Sequence, residues 1–159
     1  MTWSARAAAL AAGPHCAAVQ HPMNVLADAP EMLAVCEAHD LASVNNGPLA
    51  MGLLTGKYGA GSQLPSGDVR AAQPWVGYFD QGRPAPLWLA RLDAVREVLS
   101  GGGRTLAQGA PCWLLARSPR TVPIPGIRTV AQAEQNAVAL MLGPLRDSEM
   151  GEIARLLQA

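Results

Sequence analysis

The chain has 159 residues with 12 basic and 12 acidic side chains, so its formal net charge is zero and it lacks the basic surplus of a nucleic-acid-binding protein. This length is sufficient for one ordinary domain. No run of about 18 uninterrupted apolar residues occurs, so no membrane-spanning helix is expected.

Two short apolar runs flank an alanine-rich segment at the N-terminal end. Residues 1–4 are typical of the end of a strand, and residues 5–12 predict a helix that ends at Gly13 and Pro14. This helix does not follow a basic region and is not strongly apolar, so we do not interpret it as a signal peptide. Residues 16–20 predict a strand that ends at Gln20.

A helix is predicted to begin near Asp28. Asp28 is the expected N-cap, with Pro30 in the first turn and Glu31 at the capping-box position. Its apolar face is formed by Met32, Val35 and Cys36.

The stretch from Leu41 to Tyr58 combines a strand with a glycine-rich loop. Residues 41–44 have the length and composition of a buried strand, and the turn formers of residues 45–48 end it. Gly52, Gly56 and Lys57 follow, and such a loop lets backbone N–H groups approach an anion beside a cation. The alternative is a tight surface turn before a helix. The loop is not a Walker motif, and the chain contains no G-x-G-x-x-G.

The C-terminal half predicts helices separated by one further strand. Residues 59–86 form a long loop in which Trp75, Tyr78 and Phe79 are expected to fold back onto the domain. Residues 88–99 and 105–117 predict two helices, the second with a kink or a late start at Pro111. Residues 121–126 predict a strand, Thr129 and Gln132 a capping box for a helix through Leu140, and Asp147 the start of the last helix. The apolar face of that helix is Met150, Ile153, Ala154 and Leu157.

The cysteines and histidines do not suggest a metal site, because none has ligand spacing within a loop. The cysteines are isolated in apolar runs, which favours free buried thiols in a reducing cytoplasm over disulfides: Cys16, Cys36 and Cys112. The histidines are expected in loops or on the surface: His15, His21 and His39.

Short strands that alternate with amphipathic helices predict an α/β fold with a parallel sheet. Each apolar run ends in polar or glycine residues, as in a (β/α)8 barrel, where functional groups collect at the strand C-termini. A full barrel needs about 250 residues. We therefore predict a partial (β/α)8 TIM barrel of three to four βα units plus a C-terminal helix. A flavodoxin-like domain is disfavoured, because no phosphate loop follows the first strand.

Two motifs, in this order and spacing, resemble the C-terminal half of aldo/keto reductases, which are (β/α)8-barrel enzymes that bind NADP(H). The first motif is GPLAMGLLTGK at residues 47–57, and the second is IPGIRTVAQAEQN at residues 124–136. Trp113, Val19 with Gln20, Asn24, and Asp68-Val-Arg70 are further matches. The resemblance covers nearly the whole chain, so residues 1–159 are expected to be an NADP-binding half-barrel.

The resemblance implies a role in cofactor binding for twelve residues. Gln20 matches the glutamine that binds the nicotinamide carboxamide, and Ser4 falls near a polar residue that assists it. The pyrophosphate segment corresponds to Asn45, Gly47, Leu49, Gly52, Leu54 and Lys57. The 2′-phosphate and adenine contacts correspond to Gly126, Arg128, Gln132, Gln135 and Asn136.

Physical arguments support some of these roles and leave alternatives open. Gly126 leads into a helix N-terminus that suits a phosphate, and Arg128 supplies a forked donor. Arg128 could instead be a solvated first-turn residue. Asn136 could be an ordinary polar helix residue, and Gln20 a satisfied residue at a strand end.

The family places its catalytic aspartate, tyrosine, lysine and histidine on the first four strands, which this chain lacks. Neither Tyr58 nor Tyr78 matches the proton donor, and Asn46 stands where many members stack an aromatic ring. We therefore expect a truncated member without catalytic residues of its own, which acts on a carbonyl substrate only when another half completes it. The alternative is a non-catalytic half-barrel module. In both cases the two open strand edges predict self-association or pairing with another half.

Overall fold

The computed structural model describes residues 13, 15–72 and 77–158. Their main sheet has three parallel strands in the order β1–β2–β5, namely β1 (Ala18–Pro22), β2 (Ala42–Asn46) and β5 (Thr121–Pro123). This confirms the predicted parallel pairing of the three apolar runs, although β1 and β2 lie slightly later than expected. The strand and helix predicted at residues 1–12 lie outside the described residues.

Apart from α2, which lies in the segment expected to be a loop, the helices follow the predicted order, and their caps explain where several of them begin. They are α1 (Pro30–Ala38), α2 (Val69–Ala72), α3 (Pro86–Leu99), α4 (Leu106–Arg117), α5 (Val130–Leu142) and α6 (Asp147–Gln158). The N-cap of α1 is Ala29, so the prediction of Asp28 as the cap is wrong. Pro30 takes the first helical position, where its missing N–H has no helical partner to lose.

Helix α4 begins at Leu106 and runs through Pro111, so the predicted late start at this proline is wrong. Thr105 and Gln108 form a complete capping box that fixes the first turn. Thr129 caps α5 as predicted, accepting from the Gln132 backbone N–H at 3.2 Å. The Gln132 side chain instead accepts from the Arg128 backbone N–H at 2.8 Å.

The segment between the glycine loop and α3 has more structure than the expected loop. It contains α2 and a small antiparallel hairpin of β3 (Phe79–Asp80) and β4 (Arg83–Pro84). Phe79 is buried beside Leu64, and the ring of Tyr78 packs against Trp88 with centroids 5.1 Å apart. The prediction that these rings fold back onto the domain is thus confirmed, while Trp75 lies outside the described residues.

The two faces of the main sheet have different surroundings. Thr121 lies on the helix side, where its hydroxyl donates to the Leu114 carbonyl at 2.8 Å. Gln20, Val44 and Val122 share one row of the register on the opposite face. Gln20 and Val122 are exposed, and Val44 is half-buried. The core therefore lies between the sheet and the helices of one side.

Helices α3, α4 and α6 pack together on that side. Gly109 permits the closest approach, because a Cβ atom there would lie 2.1 Å from the Leu99 carbonyl oxygen. Arg104 forms an ion pair with the buried carboxylate of Glu149 and also donates to the Leu99 and Val98 carbonyls. These contacts lock the three helices to one another. In the part of the chain that is described, no helix is both long and apolar enough to cross a membrane.

Candidate functional site

The ends of β2 and β5 bring the two predicted cofactor segments to one edge of the sheet. The Ile124 backbone N–H donates to the Asn45 carbonyl at 3.1 Å, immediately beyond the last pair of the ladder. The chain then continues from Asn45 into the glycine loop and from Ile124 toward Gly126. Gln20 lies on the neighbouring strand with its side chain exposed on the open face.

The glycine loop turns tightly after β2 and uses left-handed backbone conformations. Gly47, Gly52 and Gly56 have φ values of 65°, 95° and 78°. Ala50 and Met51 also have positive φ, 47° and 55°, and side chains at such positions cost about 1–2 kcal/mol each. The surrounding contacts must therefore hold this loop in its shape.

Asn24 holds the start of the glycine loop. Its Nδ2 donates to the Gly47 carbonyl at 3.0 Å and to the Tyr78 hydroxyl at 2.8 Å, and its Oδ1 accepts from the Leu26 and Ala27 backbone N–H groups. Asn24 is buried. Burial raises the pKa of Tyr78, which makes its phenol a poor proton donor. Asn24 was a motif match without a predicted role, because Gly47 and Tyr78, its hydrogen-bond partners, are distant in the chain.

Arg70 holds the middle of the same loop. Its Nη1 donates to the Met51 carbonyl at 3.0 Å and to the Tyr58 hydroxyl at 2.8 Å. Its Nε and Nη2 bind the two carboxylate oxygens of Asp68 at 2.8 and 2.6 Å. Hydrogen bonds from Arg70 hold the pKa of Asp68 well below its usual range. The Asp68-Val-Arg70 motif match was the sequence signal for these contacts of Arg70.

The predicted loop residues differ in what they can offer to a ligand. Lys57 is exposed, with its Nζ 4.7 Å from the centroid of the Tyr58 ring. The side chains of Asn45 and Leu54 have no exposed area, and Leu49 packs against the core. Asn45 and Leu54 therefore expose no surface to a ligand in this structure, and their predicted cofactor roles stay predictions.

A buried polar network lies behind the strand ends. His21 Nε2 lies 2.8 Å from the Ser43 hydroxyl, and Asn45 Nδ2 donates to the same hydroxyl at 2.9 Å. His21 is only 3% exposed, so the prediction of a loop or surface histidine is wrong. Burial lowers its pKa, partly offset by the Pro22 carbonyl. His21 is therefore a neutral structural residue on the helix side of the sheet.

The start of α5 presents an exposed cation at a helix N-terminus. Gly126, Arg128 and Gln132 are all exposed. The Arg128 guanidinium has no ion-pair partner among the described residues. Free N–H groups and the positive end of the helix dipole lie beside it, which suits a phosphate.

Further along α5, two amides lie near the start of α4. Gln135 Nε2 donates to the Thr105 hydroxyl at 3.4 Å, while Asn136 Nδ2 is buried without a hydrogen-bond partner among the described residues. Gly56 of the glycine loop lies against Leu106, whose Cδ2 is 3.4 Å from a Cβ placed on that glycine. The loop and α5 thus meet at the first residues of α4.

This arrangement fits an extended anionic ligand such as a dinucleotide. Lys57 and Arg128 supply two exposed cations, and the α5 N-terminus supplies backbone donors. The Nδ2 of Asn136 is a buried donor without an acceptor among the described residues. Residues 15–72 and 77–158 contain no group of three potential metal ligands.

Comparison with known proteins gives matches along almost the whole chain. A family model described as "Aldo/keto reductase family" matches residues 2–158. Pyridoxal reductase, chloroplastic, of Arabidopsis thaliana is 36% identical over 112 residues, and aldo-keto reductase yakc [NADP(+)] of Schizosaccharomyces pombe is 29% identical over 134 residues. These alignments cover 69% and 83% of this chain.

The solved structure of the glycerol dehydrogenase AKR11B4 from Gluconobacter oxydans is similar to 88% of this chain, with a TM-score of 0.71 and 25% sequence identity. The chain is shorter than its relatives. The matches cover 27% of the Arabidopsis protein, 38% of the S. pombe protein and 42% of the Gluconobacter chain.

Proposed function

Since the chain belongs to the aldo/keto reductase family of oxidoreductases, we propose that it supplies the NADP(H)-binding portion of a carbonyl-reducing barrel. The observation that carries this proposal is the meeting of the glycine loop and α5 at the start of α4, where each segment also carries an exposed cation, Lys57 in the loop and Arg128 before α5. In this proposal the chain corresponds to the last three to four βα units of the barrel. The three-stranded parallel sheet with helices on one side supports that assignment.

The proposed contacts follow the order of the dinucleotide. Gln20 would hold the carboxamide from the open face of the sheet, and Lys57 with the loop N–H groups would hold the pyrophosphate. Arg128 and the α5 N-terminus would hold the 2′-phosphate, and Asn136 the adenine. The presence of NADP(+) in the name of the S. pombe relative supports the phosphorylated cofactor.

When bound, NADPH supplies the hydride for carbonyl reduction. The chain's own part would be to orient the nicotinamide and to shield one side of it. We assign the proton donor to residues outside this chain, because neither Tyr58 nor Tyr78 matches the family's proton donor in the sequence and partial burial raises the pKa of Tyr78. A general acid must reach the substrate oxygen, whereas the Tyr78 hydroxyl is held by Asn24 at 2.8 Å.

Titration with NADPH and with NADH, followed by cofactor fluorescence, tests this proposal. We expect saturable binding with preference for NADPH, and no carbonyl reduction above background by the chain alone. The titration is repeated with a separately produced first half of a related reductase. If NADPH binds under neither condition, the proposed function is wrong. Turnover by the chain alone would instead refute the assignment of the proton donor.

We also propose that the chain associates with a second half-barrel or with a copy of itself. The row of Gln20, Val44 and Val122 lies on a face that no described helix covers, and β1 and β5 are the edges of the described sheet. Unpaired strand edges recruit further strands. Light scattering over a range of concentrations is the test, and a monomer at all of them would contradict this proposal.

A further inference from the structure

The segment between the glycine loop and α3 contacts that loop at two points. Tyr78, at its C-terminal end, shares Asn24 with the Gly47 carbonyl. Arg70, near its centre, donates to the Met51 carbonyl. The loop is therefore held at its first residue and at its left-handed turn by a segment that contributes no residue to the proposed cofactor contacts.

Four hydrogen bonds fix the orientation of the Arg70 guanidinium. Two go to the carboxylate of Asp68, one to the Tyr58 hydroxyl and one to the Met51 carbonyl. The guanidinium also lies over two rings, with its Cζ 5.1 Å from the Tyr58 centroid and 5.4 Å from that of Phe79. We call this set of residues, Met51, Tyr58, Asp68, Arg70 and Phe79, the Arg70 cluster.

The position of the cluster explains why it matters for the loop. The Met51 carbonyl that accepts from Arg70 belongs to a residue with φ of 55°, directly before Gly52 with φ of 95°. A Cβ on Gly52 would lie 3.4 Å from the Tyr58 ring and 3.5 Å from Arg70 Nη1. The cluster thus packs against the left-handed turn at Met51, whose positive φ is unfavourable for a residue with a side chain, and at Gly52, whose N–H donates to the Leu49 carbonyl at 2.8 Å.

The charge of Arg70 is already neutralised within the cluster. The Asp68 carboxylate takes a bidentate pair from it, and both side chains are mostly buried, at 18% and 16% exposed. A guanidinium committed in this way has little capacity left for a phosphate. Arg70 therefore differs from Lys57 and Arg128, whose charged groups are exposed.

We propose that Arg70 is a positioning residue that fixes the glycine loop in its phosphate-binding conformation before the cofactor arrives, without touching the cofactor. This inference rests on the proposed function. A loop that is already ordered binds its ligand without a further loss of conformational entropy, so loosening the cluster must weaken binding.

The first experiment combines NADPH titration with backbone hydrogen exchange of residues 47–57 in the absence of cofactor. Arg70→Met removes the donors and keeps most of the side-chain volume. We expect roughly tenfold weaker NADPH binding, the equivalent of one hydrogen bond to a charged group, together with faster exchange in the loop. Arg83→Met is the matched control. Arg83 is exposed in the same segment, and its side chain donates to that of Gln63 rather than to the glycine loop. This control should change neither quantity.

A second variant separates positioning from direct contact. Asp68→Asn releases the guanidinium from its carboxylate and raises the net charge. If Arg70 positions the loop, NADPH binds more weakly to this variant; if Arg70 were a phosphate ligand, NADPH would bind more tightly. Tighter binding overturns the proposal, and so does weaker binding by Arg70→Met with unchanged loop exchange.

The remaining outcomes are equally decisive. Arg70→Met with faster exchange and unchanged affinity shows that the loop's order is irrelevant to the cofactor, which overturns the inference and leaves the proposed function intact. If the unmodified chain binds NADPH neither alone nor together with the separately produced first half, the proposed function is wrong, and the inference that rests on it is wrong as well. Thermal unfolding shows whether each variant folds. If Arg70→Met does not fold, the NADPH affinity of Asp68→Asn decides whether Arg70 positions the loop.

Discussion

Helices α4 and α5 are neighbours of almost equal length with very different surroundings. Eight residues of α4 are buried, whereas in α5, all of which the structure describes, Ala139 alone is buried. Apolar side chains of α5 are nevertheless exposed: Val130 at 75%, Leu140 at 68% and Met141 at 88%. Composition does not distinguish the two helices, because both are rich in apolar residues.

The difference separates the region that stabilises this chain from the region that we propose binds its ligand. Around α4 the contacts are close and paired: Gly109 lies against the Leu99 backbone, and Arg104 forms an ion pair with Glu149. Around α5, Arg128 is exposed and Asn136 keeps an unpartnered amide. Substitutions in the first region should therefore change folding, and those in the second should change binding.

The largest expected effect is that of Gly109→Ala. The added methyl group would lie 2.1 Å from the Leu99 carbonyl oxygen, so α3 and α4 must separate. Overpacking of this kind costs about 3 kcal/mol of the free energy of unfolding. Gly151→Ala in α6 is the control, because its Cβ meets nothing within 4 Å and helix propensity favours alanine by about 1 kcal/mol. Urea denaturation measures the free energy of unfolding of both variants. If Gly109→Ala were as stable as Gly151→Ala, α4 would not be rigidly packed.

The next largest effect is expected for Glu149→Gln, which leaves Arg104 without its carboxylate in a mostly buried position. Removing one partner of a buried ion pair costs about 3 kcal/mol. Hydrogen bonds from Arg146 and Arg104 lower the pKa of Glu149 from 4.5 to about 2 despite its burial. The folded-state pKa is the lower one, so this stabilisation is complete above about pH 4.5 and is lost as the pH falls toward 2.

The pH dependence provides the measurement for this second prediction. Urea denaturation of both proteins from neutral to acid pH should show the difference between them shrinking below about pH 4.5. Glu152→Gln, at an exposed position of the same helix, is the control. A difference that is constant over this range would mean that the folded-state pKa of Glu149 is not lowered.

The two threonine caps give a smaller effect that compares the helices directly. Thr105 accepts from the Gln108 backbone N–H at 3.3 Å, and Thr129 accepts from that of Gln132 at 3.2 Å. Thr105→Ala should lower the free energy of unfolding by about 1 kcal/mol. Thr129→Ala should lower it less and instead accelerate hydrogen exchange within α5, because little of that helix is buried. Equal losses for both variants would show that α4 and α5 unfold as one unit.

The smallest effect on stability is expected for Arg128→Gln. Arg128 is exposed and without an ion-pair partner among the described residues, so its replacement should change the free energy of unfolding by less than about 0.5 kcal/mol. Its loss should weaken NADPH binding roughly tenfold and NADH binding hardly at all, since only NADPH carries the 2′-phosphate. Arg155→Gln, in the exposed part of α6, is the control. Equal weakening for both cofactors would contradict the proposed contact.

Local sequence signals were reliable where the cause was local. The Thr129 cap and the start of α6 at Asp147 were predicted from a few neighbouring residues, and both are confirmed. The prediction of Asp28 as a cap was wrong because Asp28 instead pairs with Arg117, 2.9 Å away and far along the chain. The cofactor roles assigned to the twelve residues remain predictions.

The sequence by itself determined the order of strands and helices, the parallel sheet and the family, because periodicity, caps and motif spacing are properties of short segments. Only the tertiary structure decided that His21 is buried against Ser43 and that Arg70 holds the glycine loop at Tyr58 and Met51. Each of these contacts joins side chains that are distant in the chain, and it depends on strand register and on how helices pack. Local propensities carry no information about either.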